Sequence, residues 1–459
     1  MVGRPSSFRR LPWSPVPFLV AGIVLLIAEV GLAQTARIQA QEADRFVDSL
    51  GVNVHMESAN TPYKNYFEIN RRLHELGMRH IRDEINDTDS TFVSEMQRIG
   101  ALGYTLCGLI EGGNDYPPLG TRLDPRAVVS MIHNLQPTID AVEGPNEPDD
   151  GGFVYDGLPY PQGAINESED LWNIVEGGAA INTLPVLTMS EGNAVDFTQL
   201  AAITAPPIDY ATYGNMHAYQ GGGVGDTLLG WYVHSSRTLS GRDALWTTEM
   251  GYHNNTKYLS DGEQQGVSER AAAIYLPTAF LSGFDRGVVR TFSYELIDEA
   301  DDPKLTSGSG EGHYGLLRYD GTPKPAFTAI RNLIGLLREP EHKAFTPGSL
   351  AITFSGAPRS LRFTLLQTSE GAYYLALWND VSVYELAKPT QDGADIYPQP
   401  IPITVNFEEP KTITIYAPND ATGMHPTSAY TISECARSIR LELPAQVLLL
   451  KIVDDDQPR

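Results

Sequence analysis

The sequence predicts an α/β chain, a (β/α)8 TIM barrel followed by a C-terminal antiparallel β-sandwich domain. Three observations predict it. Eight short strand-like apolar runs alternate with segments of helical periodicity. Past Pro340 the texture changes to short alternating runs separated by turn residues. Two glutamates, Glu147 and Glu249, stand at the ends of the fourth and seventh runs, where an enzyme of this fold carries its chemistry.

The eight runs are Leu50–Val54, His80–Arg82, Tyr104–Ile110, Ile139–Val142, Val186–Met189, Tyr213–His217, Leu245–Thr248 and Val288–Phe292. After the first, Tyr66, Ile69, Leu73 and Leu76 recur at steps of three and four, and Gly77 follows as a stop. After the last, Phe327, Ile330, Ile334 and Leu337 repeat the pattern. Each stripe is expected against the barrel's outer wall. A chain of 459 residues accommodates a barrel of about 250 residues or more and a smaller module. We place the barrel at 44–340 and the second domain at 345–455.

In that second domain Ile403–Phe407, Thr412–Ile415 and Ile439–Leu443 read as separate strands. Tyr373, Tyr374 and Trp378 are its candidates for an aromatic sugar platform, although packing of the domain against the barrel is the stronger expectation. Asp454-Asp455-Asp456 reads as a solvated tail, since no loop of alternating ligands surrounds it.

Residues 1–33 read as an export signal: Arg4, Arg9 and Arg10 precede an apolar segment from Phe18 to Ala28 and a small-residue site at Gly31-Leu32-Ala33. The apolar stretch is shorter than the ~20 residues of a membrane span. The expectation is a secreted or periplasmic protein with no stable membrane span after cleavage. A net charge of −24 argues against nucleic acid and strongly anionic polysaccharides, which leaves a neutral glycan as the easier partner. Only Cys107 and Cys435 are present, so neither a disulfide framework nor a zinc pattern is legible, and both are expected as buried thiols.

Two carboxyl groups in one cleft suffice to hydrolyse a glycosidic bond. A poor sugar leaving group must be protonated while positive charge develops on the anomeric carbon, so one carboxyl supplies a proton and the other negative charge. At the separation of about 5–5.5 Å of the retaining mechanism, the ionised nucleophile keeps its neighbour protonated. Neither metal nor cofactor is required.

Asn146-Glu147-Pro148 after the fourth strand and Thr248-Glu249-Met250-Gly251 after the seventh resemble the signature of clan A glycoside hydrolases, the retaining (β/α)8-barrel enzymes. The resemblance spans roughly Phe46 to Leu337 and is nearest in look to family 39 and its relatives. It implies Glu147 as acid/base and Glu249 as nucleophile. It further implies that Arg82 hydrogen-bonds Glu249, that Tyr219 or His217 fixes its orientation, and that Asn146 binds the sugar 2-hydroxyl. Asn53 and His55 are expected to line the glycone subsite. Many clan members end strand 8 with a tryptophan, where this chain offers Phe292 or Tyr294.

Other features are set beside this reading. Glu143 and Glu111 are taken as decoys, and Glu295 as a rival for substrate contact. The stretch Asp149–Asp170, with Phe153, Tyr155 and Tyr160, suits a loop offering aromatic faces to sugars or one folded back on itself, and Asp298–Gly312 is expected either to border the same cleft or to form a mobile lid. Gly221-Gly222-Gly223-Val224-Gly225 follows His217 rather than a first Rossmann strand, so it reads as a loop and not a dinucleotide site. The expected activity is retaining hydrolysis of β-glycosidic bonds in a neutral poly- or oligosaccharide. The alternatives are a catalytically silent carbohydrate-binding protein on the same scaffold, or a transglycosylase.

Overall fold

Eight parallel strands form the barrel: β1 (Leu50–Asn53), β2 (His80–Glu84), β3 (Thr105–Leu109), β4 (Ile139–Glu143), β5 (Val186–Leu187), β6 (Gly214–His217), β7 (Leu245–Met250) and β8 (Val288–Ser293). β8 pairs with β1, and a parallel bridge between Leu187 and Tyr213 joins β5 to β6, which closes the ring. The structure, a computed structural model, describes residues 37–58, 60–85, 89–110, 122–150, 152–192, 200, 208–259, 264–306, 308–341, 343–419 and 431–454. The expected export signal and Glu111 lie outside them. Among the described residues no helix is long and apolar enough to cross a membrane.

Every expected strand is present, the fifth shorter than its apolar run, and beyond it Ser190 makes a parallel bridge to Asn146. The helices that follow are α1 (Tyr66–Leu76), α2 (Ser90–Gly100), α3 (Pro125–Leu135), α4 (Gln162–Gly177), α5 (Leu229–Ser240), α6 (Glu269–Asp285) and α7 (Pro325–Leu337). In α1 the buried residues are Tyr66, Ile69, Leu73 and Leu76, and Gly77 closes the helix at φ +83°, a left-handed conformation that favours glycine. In α7 Phe327, Ile330, Ile334 and Leu337 are buried, so both stripes face the barrel wall.

The barrel interior is layered. Cys107, Ala141, Leu187, Trp246 and Phe292 pack together as an apolar plug. Gly51 belongs to this level because a Cβ there would lie 2.4 Å from Phe292 Cδ1. Toward the strands' C-terminal ends buried polar residues gather above this plug: Asn53, Arg82, Glu143, Asn215 and Thr248, of which Asn53, Glu143 and Thr248 stand two residues beyond Gly51, Ala141 and Trp246.

Six further strands build a mostly antiparallel sheet: β9 (Ser349–Ser355), β10 (Leu361–Gln367), β11 (Tyr373–Asn379), β12 (Ile401–Tyr416), β13 (Thr431–Leu443) and β14 (Leu448–Asp454). The two runs expected as separate strands are one, β12, whose pairing with β13 shifts register between Asn406 and Lys411. Inward residues from its two halves, such as Val405 and Ile413, share one core with Leu375 and Leu450. The segment Arg37–Glu42 also joins this sheet: Arg37–Gln39 pairs with β9 and Gln41–Glu42 with β10.

Alternation along β11 divides its side chains between two cores. Leu375 and Leu377 face the sheet's own interior, whereas Tyr374, Ala376 and Trp378 pack into the cluster that contains the barrel helices. Trp378 is 1 % exposed, so Tyr374 and Trp378 make no sugar platform. No disulfide joins the cysteines; Cys107 is buried as expected, but Cys435 is exposed, on β13 between exposed Glu434 and half-buried Ala436.

Candidate active site

Arg82 organises the polar layer. Its Nε and Nη2 donate to Glu143 Oε2 and Oε1 at 2.6 and 3.2 Å, and its Nη1 donates to Glu249 Oε1 at 2.7 Å and Asn53 Oδ1 at 2.9 Å. Nη2 also donates to Asn146 Oδ1 at 2.8 Å. These contacts use all five guanidinium N–H groups, the complete donor set of an arginine. Burial alone would disfavour its charge, but the adjacent Glu143 and Glu249 hold the guanidinium firmly protonated.

Glu249 accepts a second hydrogen bond on its other oxygen, from the Tyr219 hydroxyl at 2.7 Å. Burial and then the Glu249 charge push the Tyr219 phenol well above its ordinary pKa, so it remains a donor. Both Glu249 oxygens are thus oriented, one by a cation and one by a phenol.

Glu147 follows β4 at φ +40°, a left-handed backbone that costs a non-glycine residue of the order of 1–3 kcal/mol. Its amide is anchored to Ser190 O at 3.0 Å, which fixes this turn. The carboxyl meets His217: Nδ1 lies 2.5 Å from Glu147 Oε1 and 3.5 Å from Glu249 Oε2. His217 therefore orients Glu147, not Glu249 as the sequence reading allowed. The other ring nitrogen, Nε2, lies 3.2 Å from Thr248 Oγ1. Burial lowers the basicity of the His217 ring, but the Glu249 and Glu147 charges outweigh it and lift the pKa to about 10.

One oxygen of Glu147, one of Glu249 and a ring nitrogen of His217 all lie within 4.8 Å of one another. Oxygens of the two carboxyls therefore approach one another in a single cleft, as hydrolysis of a glycosidic bond by a carboxyl pair requires.

Glu143 is no idle decoy. It is fully buried beneath Glu147 and also accepts from Asn215 Nδ2 at 2.7 Å and Thr248 Oγ1 at 2.8 Å. Burial would raise its pKa, yet Arg82 and His217 draw it down to about 2. Its position two residues beyond Ala141 on β4 signals inward orientation, but its partners come from strands far apart in sequence.

Several expectations change. The Asn53 amide is committed, donating to Thr248 O at 2.9 Å while its oxygen serves Arg82, so this residue supports the site from below and does not line it. Glu295 is fully buried and accepts from the Tyr63 hydroxyl at 2.8 Å, which removes it from the cleft surface. Phe292 belongs to the apolar plug. Tyr294 stands at the strand 8 position in the cleft, half-buried, its hydroxyl donating to Glu311 Oε1 at 2.7 Å and its ring 5.6 Å from His55. Phe153 and Tyr155 are buried in the loop after β4 and offer no face to a ligand, leaving Tyr160 half-buried there.

Fold and site together define the class in which a (β/α)8 barrel with polar strand ends is joined to a β domain. Within that class, the chain has the fold of family 39 glycoside hydrolases. A family 39 enzyme from the gut symbiont Bacteroides cellulosilyticus matches at TM-score 0.57 and 14% identity, covering 90% of this chain and 82% of that one. A family 39 β-xylosidase from Caulobacter crescentus matches at TM-score 0.54 and 14% identity, covering 91% and 98%. A glucosidase from Croceicoccus marinus matches at TM-score 0.56 and 10% identity, covering 91% and 97%. No family model and no curated protein matches the sequence.

Proposed function

We propose that the chain is a retaining glycoside hydrolase acting on β-linked, neutral sugars, with Glu249 as nucleophile and Glu147 as acid/base. The observation that carries this reading is the approach of Glu147, Glu249 and His217 within 4.8 Å. The charge balance of the buried cluster supports the division of labour. Arg82 and His217 are two cations facing three carboxyls, those of Glu143, Glu249 and Glu147. Burying an uncompensated charge is costly, so the cluster favours one proton among the three. Glu143 and Glu249 each accept donors on both oxygens, whereas Glu147 is the more solvent-exposed of the cleft pair, which suits it to exchange a proton with the leaving oxygen and with water.

In the first step Glu249 attacks the anomeric carbon while Glu147 protonates the departing glycosidic oxygen. A covalent glycosyl-enzyme results. In the second, Glu147, now ionised, takes a proton from water, which displaces Glu249. His217 orients the Glu147 carboxyl through both steps, and Arg82 and Tyr219 keep Glu249 aligned and anionic. Another sugar replacing water would give transglycosylation through the same intermediate. The basic and apolar N-terminal pattern supports action outside the cytoplasm.

The test is a panel of aryl β-glycosides and neutral β-glycans. It is headed by β-xylosides and β-glucosides because the structural neighbours are named for those sugars. The expected result is release by wild type and none by Glu249→Gln, with Glu147→Ala rescued by azide on an activated aryl glycoside. Binding without any product would replace this reading with that of a silent carbohydrate-binding protein.

A further inference from the structure

We propose that His55, Glu57 and Asp83 form a site for a divalent transition-metal ion, separate from the Glu147–Glu249 pair. One donor atom from each of the three lies within 4.8 Å of the others. His55 and Glu57 come from the loop after β1 and Asp83 from β2, so an ion between them would tie that loop to the barrel.

What points to a ligand is the state of the carboxylates. Asp83 is 2 % exposed; its Oδ2 accepts from Met56 N at 3.0 Å, while its Oδ1 is buried with no hydrogen-bond partner. Glu57 repeats the pattern: Oε1 accepts from Ser58 Oγ at 3.0 Å, and the buried Oε2 has no partner. Among the described residues neither forms an ion pair with a lysine or arginine. Arg82, next to Asp83 in sequence, turns its whole guanidinium the other way, toward Glu143, Glu249, Asn53 and Asn146. Buried carboxylate oxygens normally find a donor or a metal, because leaving them without either costs free energy.

His55 is placed as a metal ligand would be. Its Nδ1 lies 3.8 Å from Glu57 Oε1, and its Nε2 lies on the other side, 3.6 Å from Glu295 Oε2. Glu295 is itself fully buried and held by Tyr63. At 3.6 Å this is a charge contact and not a hydrogen bond, and Nε2 is buried without a hydrogen-bond partner; a small closure would give the carboxylate–histidine pairing that fixes a ligating ring. His55 also belongs to a second grouping with Glu295 and Glu299, but the first gathers two orphaned carboxylate oxygens, Asp83 Oδ1 and Glu57 Oε2, against one in the second, Glu295 Oε1. One imidazole and two carboxylates suit Zn2+ or Mn2+ better than Ca2+, which takes oxygen ligands throughout.

The experiment strips the full-length protein with EDTA, dialyses it against Zn2+ or Mn2+, and measures retained metal by elemental analysis and the thermal midpoint with and without the ion. Wild type is expected to retain one equivalent and gain thermal stability. Asp83→Asn and His55→Asn should lose both effects, and Glu295→Gln should weaken binding by roughly 10- to 100-fold. Glu57→Gln, at a less buried position than Asp83, provides the same comparison should Asp83→Asn fail to fold. The proposal is overturned if wild type retains no metal at millimolar ion, or if wild type and the folded ligand variants retain equal amounts. Either result would mean that Glu57 and Asp83 share a proton instead.

Discussion

Glu143→Gln isolates the contribution of the buried charge beneath the cleft, because it keeps the side-chain volume and removes the anion. The native carboxylate accepts from Arg82 Nε and Nη2, Asn215 Nδ2 and Thr248 Oγ1. A glutamine offers only one acceptor oxygen, and its NH2 must face at least one of those donors. Removing one partner of a buried ion pair costs about 3–5 kcal/mol. Unfolding entropy of about 2.1 cal/mol/K per residue, over the unit Ala36–Arg459, gives roughly 0.9 kcal/mol/K. The thermal midpoint should therefore fall by about 3–6 °C. The assay is calorimetric unfolding of Glu143→Gln beside Glu147→Gln, whose carboxyl is more exposed and should matter less than half as much. A Glu143→Gln protein that unfolds at the wild-type midpoint, or a Glu147→Gln protein that falls as far, would refute the reasoning.

The same carboxyl makes a pH prediction. Its folded pKa, about 2, lies below the ordinary 4.5, so its stabilisation is complete above pH 4.5 and is lost as pH falls toward 2. That interval corresponds to about 3 kcal/mol, and acid titration of Glu143→Gln should show a correspondingly shallower loss. His217, raised from 6.5 to about 10, contributes in the opposite sense: its stabilisation is present below pH 6.5 and lost as pH rises through 10, and alkaline unfolding of His217→Asn should show less of this loss. Tyr219→Phe removes a hydrogen bond to a charged group, of about 1.5–3 kcal/mol, so kcat/KM on an aryl glycoside should fall roughly 10- to 150-fold. An unchanged kcat/KM would mean that Glu249 needs no second donor. Gly251→Ala places a Cβ 2.1 Å from the Tyr294 carbonyl oxygen, a clash that no side-chain rotation relieves. It should cost about 1–3 kcal/mol in thermal unfolding and disturb the adjoining ends of β7 and β8.

All eight barrel strands were legible because each is a short apolar run bounded by turn residues, a signal that survives without knowledge of its partners. The positions of Arg82, Glu147, His217, Tyr219 and Glu249 at strand ends were legible for the same reason. What the sequence concealed was pairing across the ring. Glu143 looked idle because its four donors come from β2, β6 and β7, and His217 could not be assigned to one glutamate when both lie within reach. Tyr155 and Trp378 read as sugar-facing aromatics, yet burial is decided by the elements laid over them. β12 read as two strands because Glu408-Glu409-Pro410 interrupts the apolar alternation, although the backbone pairing continues past it.

The six residues from Arg37 to Glu42 have a consequence for how the chain is completed. One half of this segment covers the outer edge of β9 and the other half that of β10, strands that otherwise stand at opposite limits of the sheet. A piece synthesised before the barrel thus seals a module synthesised after it, and the seal forms only once almost all of the polypeptide has been made. Deleting these few residues would expose two rows of unpaired backbone groups, the template on which sheets of different molecules associate. In this protein, resistance to aggregation depends on a short stretch remote from the cleft and from most of the domain it protects.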